Sequence, residues 1–141
     1  MYYMSDALLT KGNTVAFIDE LYLFLTNLTA IEYIRNAMKR VRKKESALVI
    51  ASQNIEDFNR ADVKEMTKPL FAIPTHQFLF YSGNISKKEY IEMIKFDECL
   101  FDLISYPSKG VCVFRHGSEV YHLVVKTQKY KEELFGSAGG R

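Results

Sequence analysis

The sequence predicts an α/β fold, in which helices flank a mostly parallel sheet and an antiparallel hairpin follows at the C-terminal end. Two predicted strands, residues 14–18 and 47–51, are apolar except for the leading Thr14, as strands are when helices cover both faces of a parallel sheet. A helix-length segment separates them, so strand, helix and strand form a right-handed βαβ unit. The length of 141 residues and the hydrophobic fraction of 48% indicate one domain with a substantial core.

Two helices are predicted in the first half of the chain. Residues 3–11 should form a helix that ends at Gly12, because glycine is favoured just after a helix. Residues 27–43 should form a longer helix, because their apolar side chains recur at intervals of three and four. These apolar positions are Leu28, Ile31, Ile34, Met38 and Val41.

The middle of the chain contains a clear helix start. Ser86 and Glu89 have the spacing of a capping box, and Ile85 and Tyr90 occupy the positions of a hydrophobic staple. The helix that begins there should run to Lys95. Before it, residues 55–69 predict one or two short helices closed by Pro69, and residues 77–81 predict a strand.

The last third predicts a helix and a hairpin. Residues 97–105 should be helical and stop before Pro107. Residues 110–115 and 119–125 flank the three-residue turn His116-Gly117-Ser118 and indicate an antiparallel hairpin. We therefore expect a single domain over residues 1–130 and a flexible, glycine-rich tail over residues 131–141.

Composition excludes several classes of protein. A net charge of +2 is too small to indicate nucleic-acid or membrane binding by itself. Cys99 and Cys112 form no CxxC motif, and His76, His116 and His122 have no metal-ligand spacing. No apolar run approaches the ~20 residues of a membrane span, and the N-terminus lacks the pattern of a signal peptide. The sequence predicts a reduced, cytoplasmic setting.

Two carboxylates follow the first predicted strand directly. Asp19 and Glu20 end the run VAFIDE, which is the Walker B arrangement of P-loop ATPases. In that arrangement the first carboxylate holds Mg²⁺ through its water shell, and the second polarises the water that attacks the γ-phosphate. The alternative is that Asp19 caps the following turn and Glu20 is simply solvated.

Polar and basic residues accompany the acidic pair. Gln53 follows the second predicted strand, and the carboxyl ends of parallel strands form the edge where ligands bind in open α/β sheets. Arg35, Lys39 and Arg42 recur along one face of the intervening helix, with Lys43 beside them. Taken alone, that basic stripe is typical of a solvated helix face, and Gln53 is only a polar strand end.

Together these residues resemble the VirB-type traffic ATPases of conjugative transfer and type IV secretion. The stretches FIDELYLFL and VRKKESALVIASQN are similar to the C-terminal part of that family, and the resemblance covers residues 14–127. Ser52 stands where threonine is usual before the strand-end glutamine. The resemblance implies a RecA-like fold in which Asp19 and Glu20 form Walker B and Gln53 contacts the γ-phosphate or its water.

The same resemblance implies the remaining roles and partners. Glu20, Gln53 and Arg42 would be catalytic, Lys43 would bind the nucleotide, and Asp19 would hold Mg²⁺ through water. Arg42 would act on a neighbouring subunit, with Arg35 and Arg40 as alternatives. The complete protein would use ATP, contact ring subunits and channel proteins, and lie in the cytoplasm or peripherally at the inner face of the membrane; DNA is a further candidate partner.

The largest departure of the sequence from the family is an absence. The phosphate-binding motif G-x-x-x-x-G-K-[ST] needs a Gly-Lys pair, and this sequence has none. We therefore expect the chain to be a piece of a longer ATPase and to hydrolyse ATP negligibly alone. Two alternatives remain: an interaction module without a P-loop, and a fragment of another RecA-like motor, such as a DNA translocase or helicase, whose basic helix follows a phosphate backbone.

Overall fold

The computed structural model describes residues 2–53 and 55–136 and confirms the predicted βαβ unit. Strands β1 (Val15–Ile18) and β2 (Ala47–Ile50) pair side by side in parallel. Helix α2 (Leu28–Arg40) connects them and continues as a 3₁₀ turn over Val41–Lys44. The Asn27 side chain caps α2 by accepting a hydrogen bond from the Ala30 amide at 3.1 Å, which fixes where the helix begins.

One predicted position on the buried face of α2 is wrong. Leu28 is 51% exposed, whereas Ile31 and Ile34 are each 1% exposed. Leu28 is the first residue of the helix, and burial begins only two residues later, at Ala30.

The N-terminal segment is helical up to the predicted glycine. Helix α1 (Tyr2–Ser5) continues as a π-helix over Asp6–Lys11 and stops at Gly12, whose φ is 75°. A Cβ at Gly12 would lie 2.7 Å from the Lys44 carbonyl oxygen. Glycine is therefore required both by the left-handed backbone and by the close approach.

A second, antiparallel sheet follows in the order β3-β4-β5. Its strands are β3 (His76–Leu79), β4 (Val111–His116) and β5 (Glu119–Val124). The predicted three-residue turn is wrong by one residue, because His116 is the last residue of β4 and pairs with Glu119. Only Gly117 and Ser118 remain in the turn, and the φ of 59° at Gly117 suits a tight two-residue hairpin loop.

Three helices pack between and beside the sheets: α3 (Lys64–Ala72), α4 (Lys87–Ile94) and α5 (Glu98–Phe101), the last continuing as a 3₁₀ turn over Asp102–Ile104. A 3₁₀ turn at Glu56–Asn59 precedes α3.

Pro69 does not close α3 as predicted. The helix continues to Ala72, and the Ile73 amide still donates to the Pro69 carbonyl at 3.0 Å. A proline removes one helical hydrogen bond, and here the buried Thr67 and Leu70 on either side keep the helix packed.

The predicted capping box begins α4. The Ser86 hydroxyl accepts from the Glu89 amide at 3.3 Å and donates to the Glu89 carboxylate at 2.6 Å. Ile85 and Tyr90 are buried at 8% and 2% exposure, as a hydrophobic staple requires.

One continuous core joins the two sheets and the helices. In a first cluster, Ile31, Ile34 and Leu70 pack against β1 and β2. In a second cluster, Tyr90 and Ile94 pack against Val113 of β4. Phe71 and Met93 contact both clusters. Both sheets therefore turn one face toward a shared helix layer.

The opposite face of the parallel sheet is exposed. Val15, Phe17 and Val49 are 57%, 75% and 44% exposed, whereas Ile18 and Ile50 pack against the core. The expectation that both faces are covered is therefore wrong for this chain, since its helices supply only one covering layer.

Residues 131–135 of the predicted tail belong to helix α6 (Lys129–Phe135), which has no buried residue. Residues 137–141 of the predicted tail lie outside the described residues. None of the helices that the structure describes is long and apolar enough to cross a membrane.

Candidate functional site

The ends of β1 and β2 bring Glu20 and Gln53 into contact. Backbone pairing between the two segments continues past the strands. The Ala51 amide donates to the Ile18 carbonyl at 2.8 Å, and the Leu21 amide donates to the Ala51 carbonyl at 3.0 Å. The Gln53 side-chain amide donates to Glu20 Oε1. The predicted juxtaposition of the acidic pair and the strand-end glutamine is therefore confirmed.

The backbone at the acidic pair is unusual. Glu20 has φ 53° and ψ 49°, in the left-handed region that non-glycine residues seldom adopt. Asp19 Oδ1 accepts a hydrogen bond from the Glu20 amide at 2.9 Å, which supports this conformation. Such backbone strain is frequent at functional sites, where it aims a side chain that an ordinary turn would direct elsewhere.

The second carboxylate oxygen of Glu20 has no partner. Glu20 Oε2 is buried and receives no hydrogen bond within the described residues. An unpaired buried acceptor costs roughly 1–3 kcal/mol, and more when it is charged. A carboxylate left in this state indicates that something else donates to it when the site is complete.

Asp19 does not act as the cap of the following turn. The 3₁₀ turn Leu21–Phe24 begins without any side-chain cap hydrogen bond. Asp19 is exposed, and its Oδ1 accepts a hydrogen bond from the adjacent Glu20 amide rather than from an amide of that turn. Its outer oxygen therefore faces solvent at the strand edge, as a group that binds the water shell of a cation must.

The basic residues of the sequence pattern lie elsewhere. Arg42 and Lys43 belong to the turn Val41–Lys44, which precedes β2. Because β1 and β2 are parallel, that turn lies at the amino edge of the sheet and Glu20 at the carboxyl edge. The structure thus brings Asp19, Glu20 and Gln53 together, and it does not bring Arg42 or Lys43 to them.

Arg35, the first residue of the basic stripe, is half-buried on α2. Its Nε is buried without a hydrogen-bond partner among the described residues. The stripe is therefore not a uniformly solvated helix face, since Lys39, Arg42 and Lys43 are exposed and Arg35 is not.

A metal ion would have to be held indirectly here. Among the described residues, no three His, Cys, Asp or Glu side chains cluster as direct ligands. Mg²⁺ keeps several waters and commonly uses one or two carboxylates together with substrate phosphates. The exposed carboxylate of Asp19 fits that coordination.

Sequence reasoning missed the role of Arg115. Its guanidinium donates to the carbonyls of Ile94 and Lys95 at 3.1 and 3.2 Å, and to the Gln77 side chain. Burial lowers the pKa of Arg115. The signal available in the sequence was a charged residue within the apolar run of β4. A charged side chain that faces inward from such a strand needs hydrogen-bond partners.

Of the comparisons with known proteins, the comparison with solved structures finds a match. No protein-family model matches this chain, and no curated protein matches it. Among solved structures, VirB4 of Thermoanaerobacter pseudethanolicus matches with a TM-score of 0.77 and 25% sequence identity. The match covers 88% of this chain, and the chain spans 34% of the length of that VirB4.

The likeness includes all but about an eighth of the chain. A mixed α/β fold with one parallel and one antiparallel sheet is what the structure shows. The chain is therefore VirB4-like, and the family resemblance predicted from its sequence is confirmed.

Proposed function

We propose that this chain is the C-terminal part of a RecA-like P-loop ATPase domain that powers conjugative DNA transfer or type IV secretion. In this proposal Asp19 and Glu20 are Walker B and Gln53 is the strand-end glutamine. The observation that supports it best is the pairing of Glu20 with Gln53 at the strand ends, with Glu20 Oε2 buried and unpaired.

Each side chain would perform one task in hydrolysis. Glu20 would accept a proton from the attacking water through Oε2, the oxygen that Gln53 does not hold, and this buried atom would have to be exposed to that water. Gln53 would hold Glu20 Oε1 through its amide and keep the carboxylate oriented. Asp19 would bind the water shell of Mg²⁺, which supplies charge neutralisation at the phosphates when it is bound.

The exposed sheet face supports the view that the domain is larger than this chain. Parallel sheets are almost always covered on both faces, and a two-stranded sheet is marginal alone. Phe17, at 75% exposure, is the largest apolar side chain on the uncovered face. In the complete protein, the segment that contains the P-loop would cover this face and donate its backbone amides to the phosphates.

The basic turn before β2 would serve a neighbouring subunit. Arg42 lies at the sheet edge opposite Glu20, so it cannot reach the site of its own chain in this arrangement. A ring of subunits would place it against the next nucleotide, where an arginine stabilises charge in the transition state. Lys43 would contact the same nucleotide.

The complete protein would accordingly contact other ring subunits and channel proteins at the cytoplasmic side of a membrane, and DNA as a transferred substrate.

A second candidate function is an interaction module that has lost nucleotide chemistry. The absence of a Gly-Lys pair favours this alternative, because a module without a P-loop lacks the main phosphate contacts.

Measuring Mg·ATP affinity separates the two functions. We expect the complete protein to bind Mg·ATP, and its Asp19→Asn variant to bind it at least about tenfold more weakly, because an amide holds the hydrated cation poorly. Asparagine caps turns as well as aspartate, so unchanged affinity would reduce Asp19 to a local structural role. The 141-residue chain alone should show no tight binding in the same titration.

A further inference from the structure

A groove on the helix side of the molecule is independent of the acidic pair. It runs along α3 beside the C-terminal half of α4, and the end of α2 and the turn after β4 close it. Its volume of about 890 Å³ is at the upper end of the range that ligand sites occupy. None of Asp19, Glu20 and Gln53 lines it.

Positive charge is concentrated around this groove. Its charged lining residues are five basic side chains and one acidic one, in a chain whose net charge is only +2. The basic residues are Lys39, Lys64, Lys68, Lys95 and Arg115, and the acidic one is Glu92.

Local ion pairs neutralise little of this charge. Lys64 lies 4.0 Å from Glu92, and Lys68 lies 2.5 Å from Glu65, but both carboxylates are mostly exposed. Exposed pairs of this kind contribute little to stability, so an anionic partner can displace either carboxylate from its lysine at small cost. Lys39 makes no ion pair with any described residue. The rim of the groove therefore remains available to an anionic partner.

The floor of the groove is apolar. Pro69, Phe71, Ile73 and Met93 line it between the lysines. Phe71 and Met93 are half-buried side chains that also pack against the core, so the floor is fixed in place. A partner that fills the groove would bury apolar side chains against the floor and place carboxylates at the rim.

We propose that this groove binds an acidic, amphipathic segment of a partner protein. Helix-in-groove recognition places the apolar side of a peptide in a hydrophobic groove, and complementary charge at the rim accelerates and orients the encounter. The combination of an apolar floor with a lysine rim fits a helical segment that carries large apolar residues at intervals of three and four on one side, with Asp or Glu beside them.

Nucleic acid fits the groove less well. Strand binding without sequence readout uses aromatic rings that offer a free face to the bases. The aromatic rings in the described lining are Phe58 and Phe71, which pack edge to face at 5.2 Å and 76°. Phe58 is only 4% exposed, so it cannot act as a stacking platform.

A selection from a random twelve-residue peptide library tests the proposal on the 141-residue chain. We expect the enriched peptides to combine several Asp or Glu residues with at least two large apolar ones. In Lys64→Glu/Lys68→Glu, their affinity should fall by roughly tenfold or more, because attraction becomes repulsion at two rim positions. Ala72→Trp should weaken binding comparably by filling the groove at an exposed position.

The matched control is Lys126→Glu/Lys129→Glu, which makes the same charge change at exposed positions outside the groove. We expect this variant to bind the peptides within about twofold of the parent chain, since it changes only the long-range field. Circular dichroism confirms that each variant is folded before its affinity is used.

Three results would overturn the proposal. The first is a set of enriched peptides without acidic residues, or an empty selection. The second is equal loss of affinity in the groove and control variants. The third is a different occupant of the groove. Groove-dependent binding of a thymidine 20-mer would indicate nucleic acid. A concentration-dependent dimer that the groove variants dissociate would indicate a second copy of this chain.

Discussion

Glu20 combines three local features: a left-handed backbone, a hydrogen bond from Gln53, and an unpaired buried oxygen. The left-handed backbone and the unpaired oxygen are unfavourable for stability, and the hydrogen bond from Gln53 holds one carboxylate oxygen in a fixed position. The neighbouring Asp19 is exposed, so two chemically similar residues have different surroundings and, in our proposal, different roles.

Gly12 provides a test of backbone requirements at the residue scale. Gly12→Ala should reduce the free energy of unfolding of the 141-residue chain by roughly 1–3 kcal/mol, because it combines a left-handed φ with a Cβ 2.7 Å from the Lys44 oxygen. Denaturant unfolding measures the change.

Gly117→Ala is the matched control for that experiment. It has a φ of 59° and no atom within 4 Å of the added Cβ, so only the left-handed penalty of about 1 kcal/mol applies. If the two variants lost the same stability, the close approach to Lys44 would not be the reason for glycine at position 12.

At the scale of the elements, local signals predicted most of the fold. β1, β2 and the start of α4 lie within a residue of their predicted bounds, because each has a strong local cause: continuous apolar residues or a capping box. Pro69 shows the limit of such signals, since packing of Leu70 extends α3 past a residue that disfavours helix.

The candidate site was predictable to a similar degree. The juxtaposition of Glu20 and Gln53 follows from two parallel strands that end together, and a βαβ pattern contains that information. The position of Arg42 relative to a nucleotide was not predictable, because it depends on a neighbouring chain. The unpaired Glu20 oxygen and the lysine groove depend on tertiary packing and have no local sequence signal.

The turn that contains Arg42 gives a prediction about neighbouring subunits. In the complete protein, Arg42→Ala should reduce ATP turnover by roughly 10³–10⁵-fold if it acts as an arginine finger. Mixing Arg42→Ala subunits with Glu20→Gln subunits should restore part of the activity, because some interfaces then combine an intact Glu20 with an intact Arg42.

Steady-state ATP hydrolysis across a series of mixing ratios measures this recovery. Arg40→Ala in the same mixing series tests the alternative candidate, because Arg40 is the exposed last residue of α2. Activity that stays at the level of the separate variants at every ratio would exclude Arg42 from a role in trans.

At the scale of the whole molecule, the uncovered face of the parallel sheet gives a prediction about the longer protein that we propose. Phe17→Ser should change the stability of the 141-residue chain by less than about 0.5 kcal/mol, as exposed substitutions do. In the complete protein, the same change should cost about 2 kcal/mol or more, because a covered phenylalanine would be lost.

Thermal unfolding of both proteins measures the difference, with Ile34→Ala as the control. Ile34 is 1% exposed, so its truncation should destabilise both proteins by roughly 2–5 kcal/mol. An equally small effect of Phe17→Ser in both proteins would mean that nothing covers this face.

The central claim is that Glu20 activates water in an ATP site that a longer chain completes. The most direct measurement is ATP affinity and turnover of the complete protein with Glu20→Gln. Glutamine preserves size and can still contact Gln53 but removes the charge, so we predict near-parental Mg·ATP affinity with turnover lower by roughly 10²–10⁴-fold. Parental turnover in this variant would contradict the account and return Glu20 to a structural role.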